Sequence, residues 1–224
     1  GFRIAMRDLE IRGAGNILGT GQSGHIAAVG YDLYCQMVTE AVAELTGNVP
    51  EKPLGIRVEI PVDAHLPKDY VSRSDLRLEA YRRLASAGIK TEAESVDEVQ
   101  AEWEDRYGPV PNPAIALLEV GRLRAFCSDL GISEVIVSRV PGGRSRGGTE
   151  YMARCSPVDL PLSRQARLQR LFKESIYKSE QKILHLPMPE LSDEGLPGEL
   201  AVKLLEMLKD LVPAADLSDS PITS

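Results

Sequence analysis

At 224 residues, 43% hydrophobic and 26% charged, the chain has the composition of a soluble globular protein long enough to bury a sizeable core. Its net charge of −7 excludes the ordinary basic nucleic-acid-binding module, so any DNA contact has to be local or supplied from elsewhere. No apolar run reaches the roughly 18–20 residues that cross a bilayer, so no membrane contact is expected.

In chain order, Phe2, Ile4 and Met6 alternate with Arg3 and Arg7 as in a half-buried strand. A loop with glycines at 13, 15, 19, 21 and 24 follows. It is not a dinucleotide fingerprint, because Leu18 stands where the third glycine belongs. It is not a P-loop either, because Gly21-Gln22-Ser23 has no lysine to reach a phosphate. From Gly30 to Leu45, Leu33, Met37, Ala41 and Leu45 recur at helical spacing, and Gly47 ends the helix. The polar, proline-punctuated run Gly47–Pro53 predicts a boundary between a front element, 1–49, and a larger domain, 50–212.

In that second part Ile56, Val58 and Ile60 predict a strand. Ser72 and Asp75 have the spacing of a capping box with aspartate replacing glutamate, which predicts a helix to Ala87. Ser95 and Glu98 form a better box for a helix to Tyr107. A third helix is predicted from Pro113 to Leu130, stopped by Gly131. Val135, Val137 and Val140 begin a hairpin that returns at Tyr151–Cys155 around a glycine-rich loop, Pro141–Gly148. A fourth helix is predicted from Arg164 to Ile176, then a strand at Lys182–Leu186 with Leu184 and Leu186 on one face. The last helix carries an apolar stripe, Leu200, Leu204, Met207, Leu208 and Leu211. Residues 213–224 are expected to be a disordered polar tail. The class expected is α+β, several short strands and about five helices behind a short glycine-rich segment.

Two constellations stand out. In the front loop, Arg12 offers a fixed fork for phosphate or carboxylate, and Gln22 can donate and accept. The plainer alternative pairs Arg12 with Asp8 or Glu10 and makes Gln22 a loop-capping amide. Between Lys90 and Tyr107 there are seven carboxylates against two bases, a local charge of −5. On a helical wheel Val96, Val99, Trp103 and Tyr107 share one face, and Glu98, Glu102 and Asp105 are expected opposite it. A solvated face accounts for such a run, but crowded like charges cost a little, so a basic partner is the alternative. Cys35, Cys127 and Cys155 lie far apart with no C-x-x-C, which reads as reduced, buried thiols in a cytoplasmic protein. His25, His65 and His185 have no ligands at metal spacing, and no catalytic set is found. Arg139, Arg144, Arg146 and Arg154 around the hairpin loop could meet phosphate but read better as a solvated tip.

The run D-L-E-I-R-G-A-G-x-x-L-G-x-x-Q-S-G, from Asp8 to Gly24, resembles the translocation motif shared by RecG-type helicases and the bacterial transcription-repair coupling factors. Gly30-Tyr31-Asp32-Leu33-Tyr34 continues it in the coupling-factor style. Residues 50–212 then resemble that family's C-terminal domain, through P-x-x-Y-V, R-R-L-A-S-A and Glu102–Gly108. The resemblance implies a fragment of an ATP-driven translocase on double-stranded DNA that displaces stalled RNA polymerase and recruits the repair protein UvrA. ATP and Mg would belong to the full-length parent, with no cofactor in this chain. Arg12 and Gln22 match the family's translocation-motif arginine and glutamine. Glu102 and Asp105 match acidic positions through which the C-terminal domain docks on the parent's N-terminal UvrA-binding domain. A RecG-like helicase fragment and a free-standing acidic adaptor are the rivals. A glycine rather than a methionine at position 1 reads as a piece cut from a longer protein.

Overall fold

The computed structural model describes residues 56–87, 95–140, 150–192 and 195–212. The predicted front strand, the glycine loop with Arg12 and Gln22, the predicted helix at 30–45, the linker, the hairpin loop and the tail lie outside the described residues. Within them the elements run β1 (Arg57–Glu59), α1 (Ser74–Ser86), α2 (Val96–Tyr107), α3 (Asn112–Asp129), β2 (Glu134–Arg139), β3 (Tyr151–Ser156), α4 (Leu162–Leu171), β4 (Ile176–Lys178), β5 (Ile183–Pro187) and α5 (Glu199–Leu211). The fold is α+β, with five α-helices and a five-stranded mixed sheet among the described residues.

The sheet order is β1-β2-β3-β5-β4. β1 and β2 are parallel and are joined across three helices, while the other pairs are antiparallel. Register explains why one face is buried. Val58, Val135, Cys155 and Leu184 lie in one cross-strand row, and Val137, Ala153 and Leu186 in the next. All seven are buried. The alternate positions Arg57, Glu134, Arg154, His185 and Ile176 point the other way and remain partly or fully exposed, as a period of two requires. There Glu134 is held between Arg57 and Arg154.

The helices lie against the buried face. α3 is buried on nearly all sides, at Ala116, Leu117, Leu118, Val120 and Leu123, because it touches α1, α2 and α5. Gly121 in its middle lets α1 come close, since a Cβ there would sit 2.9 Å from Leu84 Cδ1. The apolar stripe of α5 is buried as its spacing requires.

Three sequence expectations are corrected. The helix after Pro67 starts at Ser74 with Arg73 as N-cap and no side-chain cap bond, so Ser72 and Asp75 form no capping box. Asp75 pairs with Arg73 instead (2.6 Å), and the Ser72 carbonyl accepts from the buried Arg77 guanidinium (3.0 Å). The fourth helix stops at Leu171 rather than Ile176, because Ile176–Lys178 pairs with β5 as an edge strand. The third correction concerns Glu102.

Candidate interaction surface

The acidic helix α2 is built as its sequence dictates at both ends. Ser95 Oγ accepts from the Glu98 amide (3.2 Å) while Glu98 Oε2 accepts from the Ser95 amide (2.6 Å). At the other end Gly108 takes φ 85°, which a side chain resists, and ends the helix. Val96, Val99 and Trp103 are buried. Tyr70 closes the C-terminal end: its hydroxyl lies 3.0 Å from the carbonyls of Trp103 and Gly108, and its ring meets Tyr107 edge-on at 5.8 Å.

Glu102 is not on the face opposite Trp103. Neighbouring helical residues are about 100° apart, which puts it on the flank facing α1. Its side chain is 20% exposed and pairs with Arg106 (2.7 Å) and with Arg83 of α1. Asp105 is exposed, as expected, and makes no ion pair among the described residues.

The other α2 carboxylates also have internal work. Asp97 meets Arg122 of α3 (2.8 Å), a guanidinium that also binds Glu119 and Gln100. Glu98 caps the helix, and Glu104 accepts from Gln100 (2.9 Å). Among the described residues Asp97 and Glu102 thus fasten the helix to its neighbours and Glu98 and Glu104 are held within it, leaving Asp105 facing outward. The sequence held no signal for Arg83 and Arg122 as partners, because both sit on other helices.

Around the remaining candidates the chemistry is quiet. Cys127 and Cys155 are buried free thiols; burial pushes Cys155 up to about 12 and Cys127 well above its ordinary value. Cys35, His25, Arg144 and Arg146 lie outside the described residues. Arg139 pairs with Glu150 (3.4 Å), and His65 Nδ1 lies 2.9 Å from Asp63. Among the described residues there is no group of three or more His, Cys, Asp or Glu placed to hold a metal. Nor is any helix there long and apolar enough to cross a membrane. A cleft of about 330 Å³ between Pro61–Asp63, the start of α3 and the loop before α5 contains Glu199. That carboxylate is already taken by Ser192 (2.7 and 2.9 Å) and Lys203 (2.7 Å).

The family profile of the TRCF domain matches residues 60–140. A transcription-repair-coupling factor of Mycobacterium tuberculosis is 40% identical over 225 residues, covering 96% of this chain and 17% of its own length. That of Haemophilus influenzae is 33% identical over 214 residues, covering 93% and 18%. That of Myxococcus xanthus is 45% identical over 130 residues, covering 58% and 11%. The chain thus spans less than a fifth of the length of these relatives. A solved structure, the crystal structure of the C-terminal domain of transcription-repair coupling factor, superposes with a TM-score of 0.48 at 16% identity, covering 68% of this chain and 92% of that one.

Proposed function

The chain belongs to the transcription-repair-coupling factor family, and on that premise we propose that it is the C-terminal part of such a factor, acting by regulation rather than catalysis. In the parent, residues 1–49 end the DNA-translocation module and residues 50–212 form a domain that docks on the N-terminal UvrA-binding region. Docking masks that region until the parent engages stalled RNA polymerase on double-stranded DNA. ATP and Mg serve the motor elsewhere in the parent, in the cytoplasm.

The observation that carries the reading is Asp105: an outward carboxylate at the end of a helix whose other acids are occupied within the domain. A partner arginine can meet it in a charge-assisted pair without breaking anything. Glu102 lies at the same end of the helix, where its charge is balanced by Arg83 and Arg106, so the docking contact assigned to it is the weaker of the two. UvrA affinity of the full-length parent tests the reading. Asp105→Ala should raise it on the order of tenfold or more, as loss of one such contact shifts the closed–open balance. Equal affinities in a folded protein would remove the docking role.

Arg12 and Gln22 are assigned to coupling of ATP hydrolysis to movement in the parent. Gln22→Ala should slow triplex displacement while leaving nucleotide binding intact, and unchanged displacement would reject that assignment.

A further inference from the structure

The turn Pro67–Val71 lies between β1 and α1 and presents Tyr70 to the end of α2. The Pro67 carbonyl accepts from the amides of Tyr70 (3.2 Å) and Val71 (3.0 Å), which closes the turn, and the Val71 side chain is buried. Arg77, itself buried on α1, donates through Nη1 to the carbonyls of Val71 (2.6 Å) and Ser72 (3.0 Å). A cation inside the domain thus fixes the turn from behind, and Tyr70 with it.

The two ends of α2 are secured differently. At the start, Ser95 and Glu98 cap each other within the helix. At the end the Gly108 amide donates to the Glu104 carbonyl (3.0 Å), and a further hold comes from outside the helix. The Tyr70 hydroxyl, shared between the Trp103 and Gly108 carbonyls, spans the last turn, and its ring meets Tyr107 edge-on. Burial, then Glu104 and Tyr107, raises the Tyr70 pKa, so the hydroxyl keeps its proton and stays a donor. Asp105 sits within that turn, exposed and without an ion pair among the described residues. Its place is therefore set by the backbone beneath it.

We propose that Tyr70 is a positioning residue for the docking contact assigned to Asp105: its hydroxyl holds the last turn of α2 so that the Asp105 carboxylate meets a basic group of the N-terminal region. The inference rests on that docking reading and adds the device that aims the carboxylate. Helix ends fray, and a charge-assisted hydrogen bond is short and directional. A loosened turn therefore weakens the contact without removing any charge.

The test measures UvrA affinity of the full-length parent. Tyr70→Phe keeps the ring and removes only the hydroxyl. Tyr177→Phe is its control, removing a hydroxyl that bonds the Val158 carbonyl (3.0 Å) and the Leu160 amide (3.1 Å) at the edge strand β4. Tyr70→Phe should raise the affinity about threefold to fivefold, the effect of one hydrogen bond on the closed–open balance, and Tyr177→Phe should leave it unchanged. Asp105→Ala should raise it on the order of tenfold, and adding Tyr70→Phe to that variant should change nothing further, because the contact being aimed is gone. Amide hydrogen exchange should quicken at Tyr107 and Gly108 in Tyr70→Phe, while Val99 keeps its protection. If Asp105→Ala leaves the affinity unchanged, the docking reading fails and this inference with it. If Asp105→Ala raises the affinity but Tyr70→Phe does not, or Tyr177→Phe raises it equally, this inference alone fails. Additive effects in the double variant, or unchanged exchange at Tyr107 and Gly108, would overturn it as well.

Discussion

The guanidinium of Arg83 on α1 meets the carboxylate of Glu102 on α2, which also accepts from Arg106 one turn further on (2.7 Å). One half-buried carboxylate thus fastens two helices, while Asp105 in the same acidic run fastens none. Glu102→Ala should therefore lower stability by about 1 kcal/mol and Asp105→Ala by well under that, since fully exposed charges contribute little. Denaturant unfolding of both variants checks this, with an Arg83→Ala/Glu102→Ala cycle to isolate the pair. Equal effects at 102 and 105 would mean the acidic run is energetically uniform.

Gly198, the residue before α5, holds φ 68°, and a Cβ there would lie 3.0 Å from the Ala116 Cα of α3. Gly195 has a similar φ of 61° but open space around it. Alanine at 195 should cost about 1 kcal/mol for the left-handed backbone alone, and at 198 about 2–3 kcal/mol because α3 and α5 must also part. The difference between the two melting curves measures the packing share. Equal losses would show that backbone conformation accounts for both.

Cys127 and Cys155 are buried, and burial holds both thiols far above the range in which a thiolate forms. Neither should react with a thiol reagent in the native protein, and both should react at once in denaturant. Counting labelled positions by peptide mass spectrometry decides it; native labelling at either would mean that region opens easily.

His185 on β5 faces Arg154 across on β3 and Ile176 across on β4, with Lys178 on the same strand. Burial, then Lys178 and Arg154, lowers its pKa below the ordinary histidine value, so the folded state favours neutral imidazole. A lowered folded pKa contributes stability above the unfolded value, about 6.5, that is lost as pH falls toward the folded one. Stability should begin to decline below about pH 6.5, before the carboxylates titrate, and His185→Gln should remove that early decline. An unchanged pH profile in the variant would exclude His185 as its source.

What the sequence determined by itself is local and periodic. The Ser95–Glu98 box, the glycine stop at 131, the hairpin of β2 and β3 and the buried stripe of α5 all follow from spacing, because each depends on residues within a few positions or on a repeat of 2 or 3.6. The family was legible too, since its motifs are contiguous. Only tertiary structure decided the rest. Ile176 left the predicted helix because β5 offered its backbone a partner. Glu102 was assigned a solvent face by the wheel of its own helix, but α1 brings Arg83 to its flank. Charges act through space over several ångströms, so which carboxylate is held and which is left outward depends on neighbours that a sequence does not place side by side.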